Sequence, residues 1–411
     1  MVTRYDIFEF MYSRGKVRVQ DILRAFNKSE SDYHSVYKIL QKLENEKQIS
    51  KVSNGFQIIL SSKNELLYRL IGFCIANGIN YNNLLDKNIV NFIKKALQKR
   101  KFSIKDFTSN PRTFRNYVDI LYKNEFLIVL SWKPIIAALP YNSFLGNLLE
   151  YFGHKALAVK REEDEYLEEI EKELKIFRAL IRKNERKYQD IIEKYEIRFI
   201  QHSLNLEGNP ITLPETIKLL HDQIIPKDMK AGDVQEVQNY QKAIGQMLKD
   251  SSENKLLNKE GILNYHFLAM QHNPGIAGKI RKVNVYIKGN RDFKVASVRE
   301  IESKLDNLLE KYNEFVKKKH SLKKILLFSS YFHNEFQFIH LFVDGNSRIT
   351  RLLTFHILRS QKVPIIDIPI GLLESYLFYT KGAKKRDDKK LNQVFQSIIL
   401  YNLKIINGQL K

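Results

Sequence analysis

Twelve consecutive residues, His340 to Arg351, combine side chains that suit chemistry on a phosphate group. The segment reads His-Leu-Phe-Val-Asp-Gly-Asn-Ser-Arg-Ile-Thr-Arg. Its histidine is a candidate base for an attacking hydroxyl, and Asp344 is a candidate ligand for Mg²⁺ on bound phosphates. The arginines add positive charge beside backbone N–H groups that can bind an anion. The predicted phosphate-binding residues are Gly345, Asn346, Ser347, Arg348 and Arg351.

The residues around this segment predict that it joins two helices. Residues 336–339 are mostly apolar, and Leu352, Leu353 and Ile357 follow the segment at helical spacing. A glycine turn between the helices would expose N–H groups at the start of the second one. Each part alone has a plainer interpretation: a core histidine, a simple turn and a solvated helix face. Because all these parts occur at one joint spacing, we favour phosphate chemistry.

The segment resembles the signature of the Fic family, His-Pro-Phe-x-Asp/Glu-Gly-Asn-Gly-Arg-x-x-Arg. Two positions differ, since Leu341 replaces the proline and Ser347 replaces the second glycine. Ser347 adds a Cβ atom where the backbone should approach a phosphate closely. The resemblance implies a mainly α fold, with an all-helical core and a small β-hairpin flap. It also implies a nucleotidyltransferase that uses ATP and Mg²⁺, with His340 as the catalytic base.

A second stretch, Ser203-x-x-x-Glu207-Gly208-Asn209, resembles the inhibitory motif of that family. The resemblance implies that Glu207 reaches Arg351 and blocks the productive position of the ATP γ-phosphate. The physical reason is that a carboxylate and a phosphate compete for the same guanidinium donors. The plainer interpretation is a helix end, because glycine suits the position after a helix and Pro210 follows. Both interpretations can hold together.

Two further segments resemble parts of the same family. Residues 236–240, Glu-Val-Gln-Asn-Tyr, resemble the helix that follows the inhibitory region. After Gly278, the alternation of Val283, Val285 and Ile287 predicts a strand or hairpin. It resembles the flap that pairs with an extended target segment by main-chain hydrogen bonds. The predicted target-docking residues are Arg281, Val283 and Val285.

Residues 1–62 predict three short helices followed by a hairpin with an Asn-Gly turn, an order typical of a winged helix-turn-helix. The third helix of such a module enters the major groove of DNA, and the hairpin touches the backbone. Winged helices also serve as protein-interaction modules, so that alternative stays open. The predicted DNA contacts are Tyr33, His34, Ser35, Lys38, Lys42 and Lys51.

The remaining pattern predicts a division of the chain into five parts. Residues 63–155 are expected to be helical, with a second winged-helix-like domain as one option, and residues 156–195 to form a long charged linker helix. Residues 196–380 would be the catalytic domain with its inhibitory helix, and residues 381–411 a helical tail. The single cysteine excludes a disulfide framework. A cytoplasmic protein without a membrane segment is expected.

The function predicted from these features is transfer of AMP from ATP to a Ser, Thr or Tyr hydroxyl of a target protein or of the chain itself, restrained by Glu207. The net charge of +22 favours nucleic acid or another polyanion as a partner. One alternative is therefore a DNA-binding transcription regulator whose Fic domain senses a nucleotide. A second is removal of AMP from a modified protein with help from Glu207. A different nucleotide donor and a homodimer also stay open.

Overall fold

A computed structural model of the chain describes residues 2–99, 101–155, 166–227, 229–287, 290, 293–382 and 386–411. The described chain is mainly helical, with five short strands in two small antiparallel sheets. The predicted fold class, mainly α with a small β-hairpin, is confirmed. The contacts between residues separate two compact units, Met1–Gln98 with Ser143–Val159, and Lys99–Asn142 with Lys160–Lys411.

The first unit contains helices and one hairpin. Their bounds are α1 Arg4–Arg14, α2 Val19–Ala25, α3 Tyr33–Asn45, β1 Ile49–Val52, β2 Gly55–Ile58, α4 Ser62–Ala76, α5 Tyr81–Leu84, α6 Lys87–Leu97 and α8 Ser143–Tyr151. Strands β1 and β2 pair antiparallel, with Val52 opposite Gly55. A Cβ atom on Gly55 would lie 2.8 Å from the Val17 carbonyl oxygen, so this position requires glycine. The three helices and the Asn-Gly hairpin predicted for residues 1–62 are therefore present, while the DNA-binding role stays a prediction.

The second unit contains the remaining helices and strands of the described chain. Its elements are β3 Phe102–Ser103, α7 Pro111–Lys123, β4 Ile128–Trp132, β5 Ile135–Ala138, α9 Leu167–Ile181, α10 Glu185–Asn205, α11 Leu213–Leu220, α12 Ala231–Ser252, α13 Lys259–Ala269, α14 Ile301–Val316, α15 Leu322–Ile339, α16 Asn346–Ser360, α17 Ile370–Leu377 and α18 Asp388–Leu410. The three strands form an antiparallel sheet in the order β3-β5-β4.

Helix α16 lies at the centre of this second unit. Every residue from Asn346 to Leu358 is buried, and the helix packs against α12, α13 and α15. Helix α15 packs in turn against α14 and α18. A helix that is enclosed on all sides has little freedom to move, so the residues at its N-terminal end are held rigidly.

The prediction of one long linker helix over residues 156–195 is wrong. Residues 156–165 lie outside the described chain, and two helices, α9 and α10, follow with a break at residues 182–184. The side-chain amide of Asn184 donates a hydrogen bond to the Leu180 carbonyl oxygen at 3.0 Å and so ends α9. Both helices contribute to the core of the second unit instead of bridging two domains.

The helix predicted within residues 381–411 is present as α18, but it is not a tail. It packs against α9, α10, α15 and α17, and most of its residues from Leu391 to Leu410 are buried. Residues 383–385 of the predicted tail lie outside the described chain. None of the helices in the described ranges is long and apolar enough to cross a membrane.

Candidate active site

His340 occupies the end of helix α15, where the chain turns sharply toward α16. Its backbone is left-handed (φ 49°, ψ 59°), and its N–H donates to the Phe336 carbonyl oxygen at 3.0 Å. A left-handed residue at a helix end is strained unless its surroundings hold it. The Nδ1 atom lies 3.3 Å from the Gln337 carbonyl oxygen. Because only a protonated Nδ1 can donate there, the basic lone pair is on Nε2.

Buried apolar side chains and one side-chain amide fix the conformation of the loop from Leu341 to Gly345. Leu341, at the position of the expected proline, and Phe342 are fully buried. The Asn346 side chain accepts from the Phe342 N–H at 2.9 Å and donates to the Phe342 carbonyl oxygen at 2.8 Å. Asn346 therefore shapes the loop, and its additional role toward an α-phosphate stays a prediction.

Gly345 is the N-cap of α16, with φ +79°. A Cβ atom at this position would lie 3.1 Å from the Met270 Sδ atom and 3.3 Å from the His266 ring. Both the backbone angle and the space therefore favour glycine. The first N–H groups of α16, which include that of Ser347, follow directly and form the N-terminal end of a buried helix dipole.

Arg351 is almost completely buried and faces the predicted inhibitory motif. Its Nε donates to the Ser203 hydroxyl at 2.7 Å, and its Nη2 donates to the Ser203 carbonyl oxygen and to Glu207 Oε1, both at 3.0 Å. Burial alone would lower the pKa of Arg351, but the Glu207 carboxylate raises it above its ordinary value. The ion pair between Glu207 and Arg351 that the sequence predicted is thus present in the structure.

Arg348 is held by a residue that the sequence analysis did not single out. Its Nη1 forms an ion pair with Glu236 Oε1 on α12, and its Nη2 lies 3.3 Å from Asp344 Oδ2. The other oxygen of Glu236 accepts from the Asn209 side chain at 2.7 Å. Asn209 therefore joins the predicted inhibitory motif to the first arginine of the loop.

Glu236 and Tyr240 lie one turn apart on α12 and together face the arginines of α16. The hydroxyl of Tyr240 accepts a hydrogen bond from the Ser203 hydroxyl at 2.8 Å. The only sequence signal for these two residues was the resemblance of residues 236–240 to a family helix. Their partners lie 27 to 112 positions away in sequence, so local spacing could not reveal the contacts.

The guanidinium groups retain donors that suit an anion. Among the described residues, the buried Arg348 Nε and Arg351 Nη1 atoms have no well-aligned hydrogen-bond partner, although the Tyr240 and Tyr376 hydroxyls lie close to the Arg351 guanidinium. Buried N–H groups without partners are rare in folded proteins, and a phosphate would satisfy them. The Asp344 side chain is 63% exposed beside them, so it can offer a carboxylate oxygen to Mg²⁺.

The segment predicted to form a target-docking flap has a different structure from the one expected. Its described residues, 278–287, form no strand. Val283 is 57% exposed and Val285 is half-buried, so both can meet a target, but Arg281 is 2% exposed. The Arg281 guanidinium donates to the carbonyl oxygens of His340 (2.6 Å), Val283 (2.8 Å) and Ala296. The Arg281 side chain is therefore a clamp inside the protein that is not exposed to a target, and target docking by this segment stays a prediction.

His266 on α13 connects the same segment to the loop. Its ring stacks on Phe342 with centroids 3.6 Å apart. The Gly278 N–H donates to Nδ1 at 2.9 Å, so Nε2 carries the proton and donates to the Asp344 carbonyl oxygen at 3.0 Å. Burial lowers the pKa of His266 to about 4, which keeps the ring neutral. The sequence offered no spacing signal for this positioning role.

A buried charged cluster includes His202, the neighbour in sequence of Ser203 in the predicted inhibitory motif. Glu125, His202 and Asp367 each place a ligand atom within 4.8 Å of the others, an arrangement that could hold a metal ion. However, Glu125 already forms an ion pair with Arg198, and His202 lies 3.2 Å from Asp367. These pairs balance the charge of the cluster, so the contacts favour an internal ion-pair network.

The side chains predicted to contact DNA all belong to the first unit. Tyr33, His34, Ser35, Lys38 and Lys42 are exposed on α3, and Lys51 is exposed on β1. The opposite side of α3, with Val36, Leu40 and Leu43, is buried. The helix therefore presents a polar face that is not needed for folding.

Residues 256–358 match the pattern of the Fic/DOC family. These residues of the chain are therefore similar to a Fic domain. The matched range contains the whole loop from His340 to Arg351, together with Arg281 and His266. Part of the chain is also similar in fold to a Fic domain-containing signalling protein from Bacteroides thetaiotaomicron, with a TM-score of 0.51 and 18% identity. That similarity covers 60% of this chain and 97% of the other.

Proteins with a named activity are similar to a longer part of the chain than the family match covers. The chain is 23% identical over 280 residues to proteins called protein adenylyltransferase Fic in Drosophila erecta and Drosophila melanogaster. The match covers 68% of this chain and 55% of each relative, so the chain spans about half the length of these relatives.

Proposed function

We propose that this protein is an adenylyltransferase that transfers AMP from ATP to a Ser, Thr or Tyr hydroxyl of a target protein or of itself. The observation that carries this proposal is the pair of buried guanidinium groups, Arg348 and Arg351, with unmatched N–H donors beside the Gly345 turn. Such donors can bind a polyphosphate, and His340 lies at the start of the same loop. The name of the Drosophila relatives supports the choice of AMP as the transferred group.

In the proposed reaction, His340 Nε2 takes the proton from the acceptor hydroxyl. The hydroxyl oxygen then forms a bond to the α-phosphorus, the bond to the bridging oxygen of pyrophosphate breaks, and pyrophosphate leaves with the electron pair. Arg348 and Arg351 stabilise the negative charge on the phosphates, and the α16 N-terminus adds its N–H groups. A Mg²⁺ ion held by Asp344 would neutralise further phosphate charge. Catalysis in this scheme rests on positioning and electrostatics.

We further propose that Glu207 restrains this activity. Its carboxylate occupies Arg351 Nη2, a donor that a γ-phosphate would use. Glu207→Gly should raise self-modification at least about tenfold, because one competing charge-assisted hydrogen bond is worth 1.5 kcal/mol or more. Glu207→Gln removes the charge without adding a glycine and should also activate.

The test is mass spectrometry of the Glu207→Gly protein after incubation with a mixture of nucleoside triphosphates. A gain equal to AMP is expected, and the modified peptide identifies the acceptor. Adding His340→Ala should abolish the gain while the circular dichroism spectrum stays unchanged. A gain equal to another nucleotide would replace ATP as the donor. No activation by either Glu207 variant would overturn the inhibitory role.

The reverse reaction is a second candidate because the Glu207 carboxylate is held in the site with 18% exposure. A carboxylate there could orient a water molecule toward the phosphorus of a modified protein. Release of AMP from pre-modified protein should then be faster with Glu207 than with Gly at this position. Equal release rates would exclude this candidate.

A further inference from the structure

A cavity of about 510 Å³ lies on the second unit, where α7, β4, α10 and α18 meet. It is lined by residues that the active site does not use. This volume falls in the range of pockets that hold small molecules. Its lining combines aromatic rings with four cationic side chains, Lys123, Lys194, Arg198 and Lys404.

Two of the cations are fixed in place by carboxylates. Arg198 forms an ion pair with Glu125, and Lys404 Nζ lies 2.7 Å from Glu173 Oε1 and 2.8 Å from the Leu130 carbonyl oxygen. Lys123 and Lys194 are exposed and take part in none of the ion pairs found among the described residues. The cavity wall therefore carries an excess of about two positive charges, which suits a dianion.

The aromatic lining suits a planar ring. Trp132 is 40% exposed, and its ring packs edge to face on Tyr122, with centroids 5.3 Å apart and an angle of 89°. Tyr401 extends this cluster on α18, 6.3 Å from Tyr122. An exposed indole that is braced by a second ring is a platform on which a nucleobase can stack.

We propose that this cavity binds an aromatic phosphate monoester with the size and charge of a nucleoside monophosphate. The ring stacks on Trp132, and the phosphate, with a charge near −2 at pH 7, lies between Lys123 and Lys194. Helix α10 lines the cavity with Lys194 and Arg198 and ends beside the inhibitory Glu207. A ligand here would thus contact the helix that leads into the segment with Glu207, although the binding proposal does not depend on the catalytic one.

Trp132 is the only tryptophan in the chain, so its fluorescence reports on this cavity directly. Titration of the full chain with AMP, GMP, CMP and UMP should quench or shift this fluorescence with saturation. Inorganic phosphate and an uncharged nucleoside should each bind at least about tenfold more weakly. Inorganic phosphate has no ring to stack on Trp132, and the nucleoside has no phosphate to pair with the lysines.

Gly408→Leu provides a variant that should fill the cavity without disturbing the fold. Gly408 lies on α18 and lines the cavity, and a Cβ atom there would meet nothing within 4 Å. This variant and Lys123→Ala/Lys194→Ala should weaken the fluorescence response at least about tenfold. Lys187→Ala removes an exposed lysine from another part of α10 and should leave the response unchanged.

Three results would overturn the proposal. One is the absence of any response to all four monophosphates. Another is a response that persists in both Gly408→Leu and the double lysine variant, since the ligand would then bind elsewhere. The third is a response to single-stranded oligonucleotides but not to mononucleotides, which would make the cavity part of a nucleic-acid surface.

Discussion

At the scale of single residues, each arginine of the loop faces a carboxylate from another part of the chain. Glu207 meets Arg351, and Glu236 meets Arg348 with its side chain only 17% exposed. Breaking such a partly buried pair leaves an uncompensated cation, which costs about 3–5 kcal/mol of folding free energy. A bound phosphate can supply the missing negative charge. Loss of Glu236 should therefore couple folding stability to nucleotide binding.

Glu236→Gln should lower the midpoint of thermal unfolding in the absence of ligand. ATP should then raise the midpoint of this variant by more than it raises that of the wild type. The measurement is a thermal unfolding curve at increasing ATP concentrations. Glu335→Gln is the matched control, because Glu335 pairs with Arg386 outside the site. Its loss of stability should not respond to ATP. Equal ATP effects in both variants would mean that Glu236 does not compete for Arg348.

The sequence predicts these residues to different degrees. His340, Gly345 and the loop arginines occur at one local spacing, and the motif that contains Glu207 is also local, so both can be read directly. The Arg348–Glu236 pair joins residues 112 positions apart. Only the packing of α12 on α16 brings them together, and no local pattern encodes that packing.

At the scale of elements, the conformation of the segment after Gly278 depends on the side chain of Arg281. The Arg281 guanidinium serves carbonyl groups at the end of α15 and within the predicted flap, as described above. The alternating valines predicted a strand. An alternating pattern cannot show that an arginine side chain, and not a neighbouring strand, makes the hydrogen bonds to the backbone carbonyl groups. Burial lowers the pKa of Arg281.

Arg281→Ala should destabilise the protein by about 3 kcal/mol or more, since several buried carbonyl groups lose their donor. Activity should fall as well, because the His340 carbonyl loses its anchor. Denaturant unfolding measures the first effect, and hydrogen exchange of residues 278–287 measures the local opening. Lys282→Ala, the exposed neighbour, is the control. If the two variants are equally stable, the clamp role is wrong.

Helix α10 also contains Glu196, a partly buried carboxyl group that affects folding stability. Burial, together with the nearby Glu193 carboxylate, raises the pKa of Glu196 to about 7. The unfolded chain releases this proton near pH 4.5. Between these values the folded state binds more protons, so folding stability falls as the pH rises from 4.5 to 7.

Glu196→Gln should remove this penalty and stabilise the protein at pH 8 by roughly 1–3 kcal/mol, with little effect at pH 4.5. Denaturant unfolding at several pH values tests the expectation. Asp190→Asn removes an exposed charge from the same helix and should change the pH profile much less. A wild-type profile that is flat between pH 4.5 and 7 would contradict the raised pKa.

At the scale of the whole molecule, the charge of +22 does not by itself locate a nucleic-acid site. Lys38, Lys42 and Lys51 are exposed on α3 and β1 of the first unit, and their contact with DNA stays a prediction. If these lysines neutralise DNA phosphates, each releases about one counterion on binding. If only the net charge matters, any three exposed lysines should have the same effect.

Lys38→Ala/Lys42→Ala/Lys51→Ala should therefore weaken binding to double-stranded DNA and reduce the slope of log K against log salt by about 3. The matched control is Lys172→Ala/Lys175→Ala/Lys183→Ala, which removes the same charge from exposed positions on α9 and just after it. Fluorescence anisotropy with labelled duplex DNA at several salt concentrations gives both slopes. Equal slopes for the two triple variants would assign DNA affinity to net charge, and a binding face on α3 would then be excluded.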